Sequence, residues 1–197
     1  GVNQPFQVFG FVVGRFQLRR AHAGGAGLDR VEGAHPDCDQ VGDQLDDRAA
    51  GVVLSAFQGK YPLGNAIVGN SIHSNGGLAI DLGNDGVTAN DAGDGDSGPN
   101  GLQNFPLIGT AARSGGALIL WGTLDGAPDT AFTVEIFANP ACDPAGHGEA
   151  ERLLGKVDVT TDAGGHAAFS ATLAAVAARG EAVTTTATDA AGNTSEL

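Results

Sequence analysis

The chain has 197 residues, of which 32 are glycine, 17% are charged and 42% are hydrophobic. Because each glycine inside a helix costs roughly 1 kcal/mol relative to alanine, this composition favours strands and turns. The formal net charge is −13, and residues 61–197 hold 16 of the 23 acidic residues but four of the ten basic ones. Such a surface repels phosphate backbones and anionic lipids, so nucleic acid is not an expected partner, whereas divalent cations are attracted.

Membrane insertion is not expected either, because no apolar run approaches the ~18 residues that a spanning helix needs. The sequence contains no methionine and begins with Gly1, which leads us to expect a piece of a longer chain. Cys38 and Cys142 are the two cysteines, and their spacing leaves open whether they form a disulfide.

Residues 1–60 show no sustained helical or strand period across most of their length. The apolar run at 5–16 predicts a pair of strands, the run at 51–59 predicts another strand, and a short helix is predicted over 41–50. The composition changes at about residue 60, from Arg, His and Gln to Asn, Thr and Asp. Two interpretations of residues 1–60 therefore stay open: an irregular natural domain, or coding sequence translated out of frame.

The next segment carries a five-residue pattern of asparagine, with isoleucine two positions after the first two asparagines. These residues are Asn65, Ile67, Asn70, Ile72 and Asn75. The pattern is typical of a parallel β-helix, in which branched aliphatic residues point inward while asparagine and glycine occupy the corners. A hairpin rich in glycine and asparagine is the alternative. We predict terminal β-helix coils and an Asp-rich loop over residues 61–102.

The loop at residues 81–100 is rich in oxygen donors and contains no basic residue. Ca²⁺ binds six to eight oxygens from carboxylates, amides and backbone carbonyls, so the loop predicts a calcium site. The candidate ligands are Asp81, Asp85, Asp91, Asp94 and Asp96. The stretch DGDSG (94–98) has the alternating carboxylates of calcium loops but no downstream glutamate, so it is not an EF-hand. The alternative is a solvated loop whose side chains cap their own backbone.

Residues 103–197 contain short runs of β-branched or alternating residues separated by turn signals. Strands are predicted at 117–124, 131–138, 152–160, 166–173 and 181–189. This spacing predicts an antiparallel β-sandwich. Residues 102–109 are predicted to be a connector. Trp121, the only tryptophan, is predicted to be buried in the core, and Thr184 and Thr186 to point outward.

GNAIVGNSIHSNGGLAIDLGNDGVTANDAGDGDSGPNGLQNFPLI (64–108) resembles the closing coils of bacterial right-handed parallel β-helix repeat proteins. ATDAAGNTSEL (187–197) resembles the bacterial immunoglobulin-like modules that follow such helices. The resemblance covers about residues 61–197. It implies an exported bacterial protein, either secreted or held at the cell surface.

The resulting functional expectation is a non-enzymatic spacer or adhesion module, with a cell-surface glycan or protein as its partner and Ca²⁺ in the Asp-rich loop. The alternative is a glycan-binding accessory fragment of a β-helix lyase or glycosidase whose catalytic coils lie upstream. GHG (146–148) is similar to a catalytic motif of polygalacturonase-type enzymes, but it falls in a predicted sandwich loop, so no catalytic residue is assigned. Aromatic residues are 6% of the chain, and a buried Trp121 would leave no glycan platform.

Overall fold

The computed structural model describes residues 50–114, 116–143, 146–174 and 177–197. The strand pair at 5–16, nearly all of the helix at 41–50 and Cys38 lie outside the described residues. Within them the chain is all-β, with eight strands and a 3₁₀ turn at Pro99–Leu102, which confirms the all-β part of the prediction. None of the described helical segments is long and apolar enough to cross a membrane.

The first two strands form a small parallel sheet. Strand β1 (Val52–Leu54) pairs with β2 (Ile80–Leu82), so that the chain leaves β1, makes one circuit and returns beside it. We call residues 50–82 the coil segment. Gly51 is required where the circuit approaches β1, because a Cβ atom there would lie 2.5 Å from Ile72 Cγ2.

The other six strands form two three-stranded antiparallel sheets, ordered β3-β4-β7 and β6-β5-β8. Their bounds are β3 Leu107–Ser114, β4 Ala117–Asp125, β5 Ala131–Asn139, β6 Arg152–Thr160, β7 His166–Leu173 and β8 Ala182–Asp189. All five strands predicted for residues 103–197 are present. The prediction of a connector up to residue 109 was wrong, because β3 begins at Leu107. Its pairing with β4 is interrupted by a register shift between Ile108 and Thr110, which hides the strand's alternation in the sequence.

The inner faces of the two sheets enclose the main hydrophobic core. Alternate residues of β4 and β5 supply it, among them Leu118, Leu120, Leu124, Phe132, Val134 and Ile136. This register settles the orientation of Trp121. Since its neighbours Leu120 and Gly122 point inward, Trp121 points outward and is 49% exposed. The predicted core position of Trp121 was therefore wrong.

On the outer face of the β6-β5-β8 sheet, the residues of β5 and most of those of β8 are covered because the coil segment packs against them, whereas outward residues of β6 such as Lys156 and Asp158 are exposed. We call the part on β5 and β8 the covered face. Phe137 on β5 points away from the main core, yet it is only 2% exposed because it joins Leu54, Ile80 and Leu82 in a second hydrophobic cluster. Thr186 on β8 also faces outward, as predicted, and is buried for the same reason.

Candidate cation-binding loop

The five aspartates proposed as metal ligands separate into two groups. Asp81, at the centre of β2, is buried and caps the turn that follows it. Its Oδ1 accepts hydrogen bonds from the backbone N–H groups of Asn84 (2.8 Å) and Asp85 (3.2 Å). For this first turn the capping alternative describes the observed geometry.

Asp91, Asp94 and Asp96 form the second group. One carboxylate oxygen from each lies within 4.8 Å of the others. Among the described residues this is the one cluster of three or more potential metal ligands, and it does not include Asp81 or Asp85. The structure therefore brings together three of the five predicted ligands. We call them the Asp triad.

Two asparagines hold the Asp triad in place. Asn104 is buried, accepts a hydrogen bond from the backbone N–H of Asp91 (3.0 Å) and donates to the Asp91 carbonyl (2.7 Å). Its own backbone N–H donates to Asp94 Oδ1 at 2.8 Å. Asn90 exchanges a similar pair of hydrogen bonds with the backbone of Phe105. The loop thus takes its shape from the NF dipeptide at 104–105.

The Asn104 side chain also connects the loop to the sandwich, because its amide donates to the Asp125 carbonyl at the end of β4 (3.0 Å). Sequence analysis did not assign Asn104 any role. In the sequence Asn104 is an asparagine two residues before Pro106. Such a position does not show whether the side chain holds a loop in place or belongs to an ordinary turn. The triad consequently lies against the sandwich, in the loop that follows the coil segment.

The electrostatics of the triad favour a positive ligand. The pKa of Asp94 is raised to about 6, chiefly by burial and also by the neighbouring carboxylates of Asp96 and Asp91, against the lowering effect of the Asn104 N–H. Burial and Asp91 also raise the pKa of Asp96. The ionised forms of Asp94 and Asp96 would be stabilised by a cation bound between the carboxylates of the triad.

The spacing of the triad suits calcium. Oxygens that lie ~2.3–2.6 Å from a shared Ca²⁺ can be at most about 5 Å apart, and the triad oxygens already meet that limit at 4.8 Å. The remaining ligands would have to be backbone carbonyls or waters, as in many calcium loops.

A second polar arrangement joins the coil segment to the sandwich. Asn100, 1% exposed, accepts a hydrogen bond from the backbone N–H of Asn65 and donates to the carbonyls of Asn65 and Thr194. Ile67 donates its N–H to Thr194 Oγ1 (2.9 Å). Asn65 of the predicted asparagine pattern therefore takes part in a tertiary contact. Its partner is Asn100 of the Asp-rich loop.

Glu196 is the most buried carboxylate of this joint, at 2% exposure. It accepts hydrogen bonds from the backbone N–H groups of Leu82 (2.7 Å) and Thr88 (2.8 Å). Burial raises its pKa to about 7 in spite of these bonds. Sequence analysis missed Glu196, because a single glutamate beside a turn carries no periodic signal.

The histidine of the GHG stretch lies in the loop before β6. His147 makes an edge-to-face contact with Phe105, with ring centroids 5.6 Å apart. Another histidine, His166, forms a hydrogen bond with the Asp125 carboxylate at one end of β7, which raises its pKa.

The chain was compared with known proteins. A scan against protein-family models and a search of curated proteins found no match to this chain.

Proposed function

We propose that the chain is a non-enzymatic structural module of an exported bacterial surface protein. In this proposal the coil segment closes a right-handed parallel β-helix, an immunoglobulin-like sandwich follows it, and Ca²⁺ stiffens the joint between them. The observation that carries the proposal is the position of the Asp triad. Its three carboxylates converge in the one loop that Asn104 ties to the sandwich.

Support for a terminal β-helix coil comes from the parallel pair β1 and β2. Val52 lies opposite Ile80, 28 residues later, and the two strands stay in register to Leu54 and Leu82. Equivalent strands in successive coils of a parallel β-helix pair in this way, in parallel and in register. Gly64 and Gly69 have positive φ values of 71° and 66°, as expected for corners. A coil that is held against a sandwich would keep the two parts at a fixed distance, which is what a spacer module requires.

Support for calcium comes from the chemistry of the triad. It offers oxygen ligands alone, it is preformed by hydrogen bonds, and its sequence neighbourhood holds no basic residue from 61 to 112. A hard divalent cation is the ligand that such a site selects.

The experiment is a thermal melt of the chain with and without Ca²⁺ after treatment with a chelator. Free Ca²⁺ at about 100 times its dissociation constant would stabilise the folded state by ~2.7 kcal/mol, which raises the melting temperature by roughly 5–10 °C. A melting temperature that millimolar Ca²⁺ does not change contradicts calcium binding.

Two variants assign the effect to the triad. Asp94→Asn keeps the acceptor for the Asn104 N–H but removes a carboxylate whose charge is unfavourable in the folded state. It should therefore melt above the parent without Ca²⁺ and lose the response to Ca²⁺. Asp129→Asn is the matched control, because Asp129 is exposed in a turn outside the triad, and it should keep the full response.

A further inference from the structure

The outer face of the β3-β4-β7 sheet differs from the covered face because no described segment packs on it. We call it the open face. Trp121 lies at its centre on the middle strand, with Thr110 of β3 and Ser170 of β7 directly opposite on either side. Directly opposed side chains in antiparallel strands have Cβ atoms about 4.5–5.5 Å apart. The indole is therefore bordered by a hydroxyl on each side.

Further along β4 the outward side chains are polar. Thr123 is the next outward residue after Trp121, and Asp125 follows it opposite His166. At the rise of ~3.4 Å per residue, Trp121 and Asp125 are about 13 Å apart along the strand. The open face thus presents an apolar ring, then a hydroxyl, then a pair of groups that can donate and accept hydrogen bonds.

The open face carries almost no charge in a strongly acidic protein. Of its outward positions on the three strands, only Asp125 and His166 are ionisable, and these two bind each other. An anionic ligand would find no unpaired basic side chain on this face and would be repelled by the net charge of −13. A cationic ligand would find no unpaired acid. The charge pattern therefore suits a neutral partner.

We propose that the open face binds neutral polysaccharide, with a pyranose ring stacked on Trp121. One face of a pyranose consists of C–H groups and its rim consists of hydroxyls. This matches an indole bordered by Thr110, Ser170 and Thr123. Tryptophan provides a large, rigid contact area at little cost in side-chain entropy, which is why it dominates many binding sites. The proposal goes beyond the spacer function and does not depend on calcium.

A second copy of the chain is the competing occupant, and the size of the face argues against it. Three strands ~4.8 Å apart, with about nine residues at ~3.4 Å each, outline roughly 400 Å². A stable protein interface buries about 800 Å² on each partner. A few sugar rings along β4, in contrast, fit within the open face.

The test uses the full 197-residue chain in native affinity gels that contain galactomannan, xyloglucan, mixed-linkage β-glucan or glycogen. Because Trp121 is the only tryptophan, fluorescence excited at its absorption edge reports this face alone. We expect retarded migration on at least one neutral polymer together with a shift of the emission spectrum. Trp121→Ala should weaken binding at least tenfold, and Trp121→Tyr should restore part of it.

Leu153→Ala is the control variant, since Leu153 is an exposed apolar residue on β6; it should bind like the parent. The absence of both retardation and spectral change with all four polymers would overturn the proposal. Sedimentation that reveals a dimer dissociated by Trp121→Ala would overturn it in favour of a second copy. Retardation by alginate or polygalacturonate that persists in Trp121→Ala would also count against it.

Discussion

The two outer faces of the sandwich are built from similar strands but have opposite environments. On the covered face Phe137 is 2% exposed, whereas on the open face Trp121 is 49% exposed. Each is an aromatic residue in the middle strand of its sheet, pointing away from the main core. The coil segment accounts for the difference, because it packs on one sheet and leaves the other bare. An aromatic residue outside the core thus serves stability on one face and is available for binding on the other.

The polar residues of the two faces also differ in their exposure to solvent. Glu135 of the covered face is 5% exposed, and its carboxylate accepts a hydrogen bond from Gly69 N–H (2.8 Å). On the open face the Asp125 carboxylate binds the exposed His166. The covered face uses its polar groups to satisfy the backbone of the coil segment, which buried N–H groups require.

Replacing the aromatic residue on each face gives the largest contrast. Phe137→Ala should destabilise the fold by about 3–5 kcal/mol, because it removes a buried ring from the second hydrophobic cluster and leaves a cavity. Trp121→Ala should destabilise the fold by clearly less, because about half of the indole is already exposed to solvent. Urea denaturation of both variants measures the difference. Equal losses would mean that the coil segment does not cover the β6-β5-β8 sheet in solution.

A smaller effect is expected at the polar joint. Asn100→Asp keeps the oxygen that accepts from Asn65 N–H and keeps a residue type that tolerates the observed φ of 49°. It loses the two donations to Asn65 and Thr194 carbonyls. Because a buried acceptor left unpaired costs ~1–3 kcal/mol, the variant should unfold at lower urea. Asn84→Asp, in the Asp81 turn, provides a comparison in an exposed position with positive φ.

The smallest effect is a dependence of stability on pH. The pKa of Glu149 is raised from its ordinary 4.5 to about 7, chiefly by burial and also by the nearby Asp143. Burial likewise raises the pKa of Glu196 to about 7. A raised pKa means that the folded state prefers the protonated form. The stability that these two carboxyls contribute is complete below pH 4.5 and is lost as the pH rises through about 7.

The melting temperature of the chain should therefore fall by a few degrees between pH 5 and pH 8. Glu149→Gln cannot titrate at this position, so it should show a smaller fall, and Asp129→Asn should show the full fall. The measurement is a series of melts in chelator-treated buffers of constant ionic strength. A melting temperature that rises over this pH range would show that both carboxyls are ionised at no cost in the folded state.

Prediction from sequence succeeded where a pattern reports local structure. The alternation of β-branched and apolar residues located β4, β5, β6, β7 and β8, because the period of two is a property of the strand itself. It failed at β3, where the register shift after Ile108 breaks the period. It also failed for Trp121, although the inward Leu118, Leu120 and Leu124 already place residue 121 on the opposite side of the strand.

The candidate site was predicted in part for the same reason. A cluster of carboxylates in a loop without basic residues indicated a cation, and Asp91, Asp94 and Asp96 converge as such a site requires. The sequence did not distinguish them from Asp81 and Asp85, because proximity in the chain does not show which way a loop turns. Asn104 makes that choice by holding Asp91 and Asp94 together.

By itself the sequence determined the all-β class, the positions of β4 to β8 and the acidity of the loop, since composition and period are local properties of a segment. Only the tertiary structure decided which sheet face the coil segment covers, which aspartates meet, and that Glu196 is buried beneath β2. These outcomes depend on contacts between residues more than 100 positions apart along the chain, such as Ile67 and Thr194. Long-range packing selects among faces that are locally equivalent, and no local pattern encodes that selection.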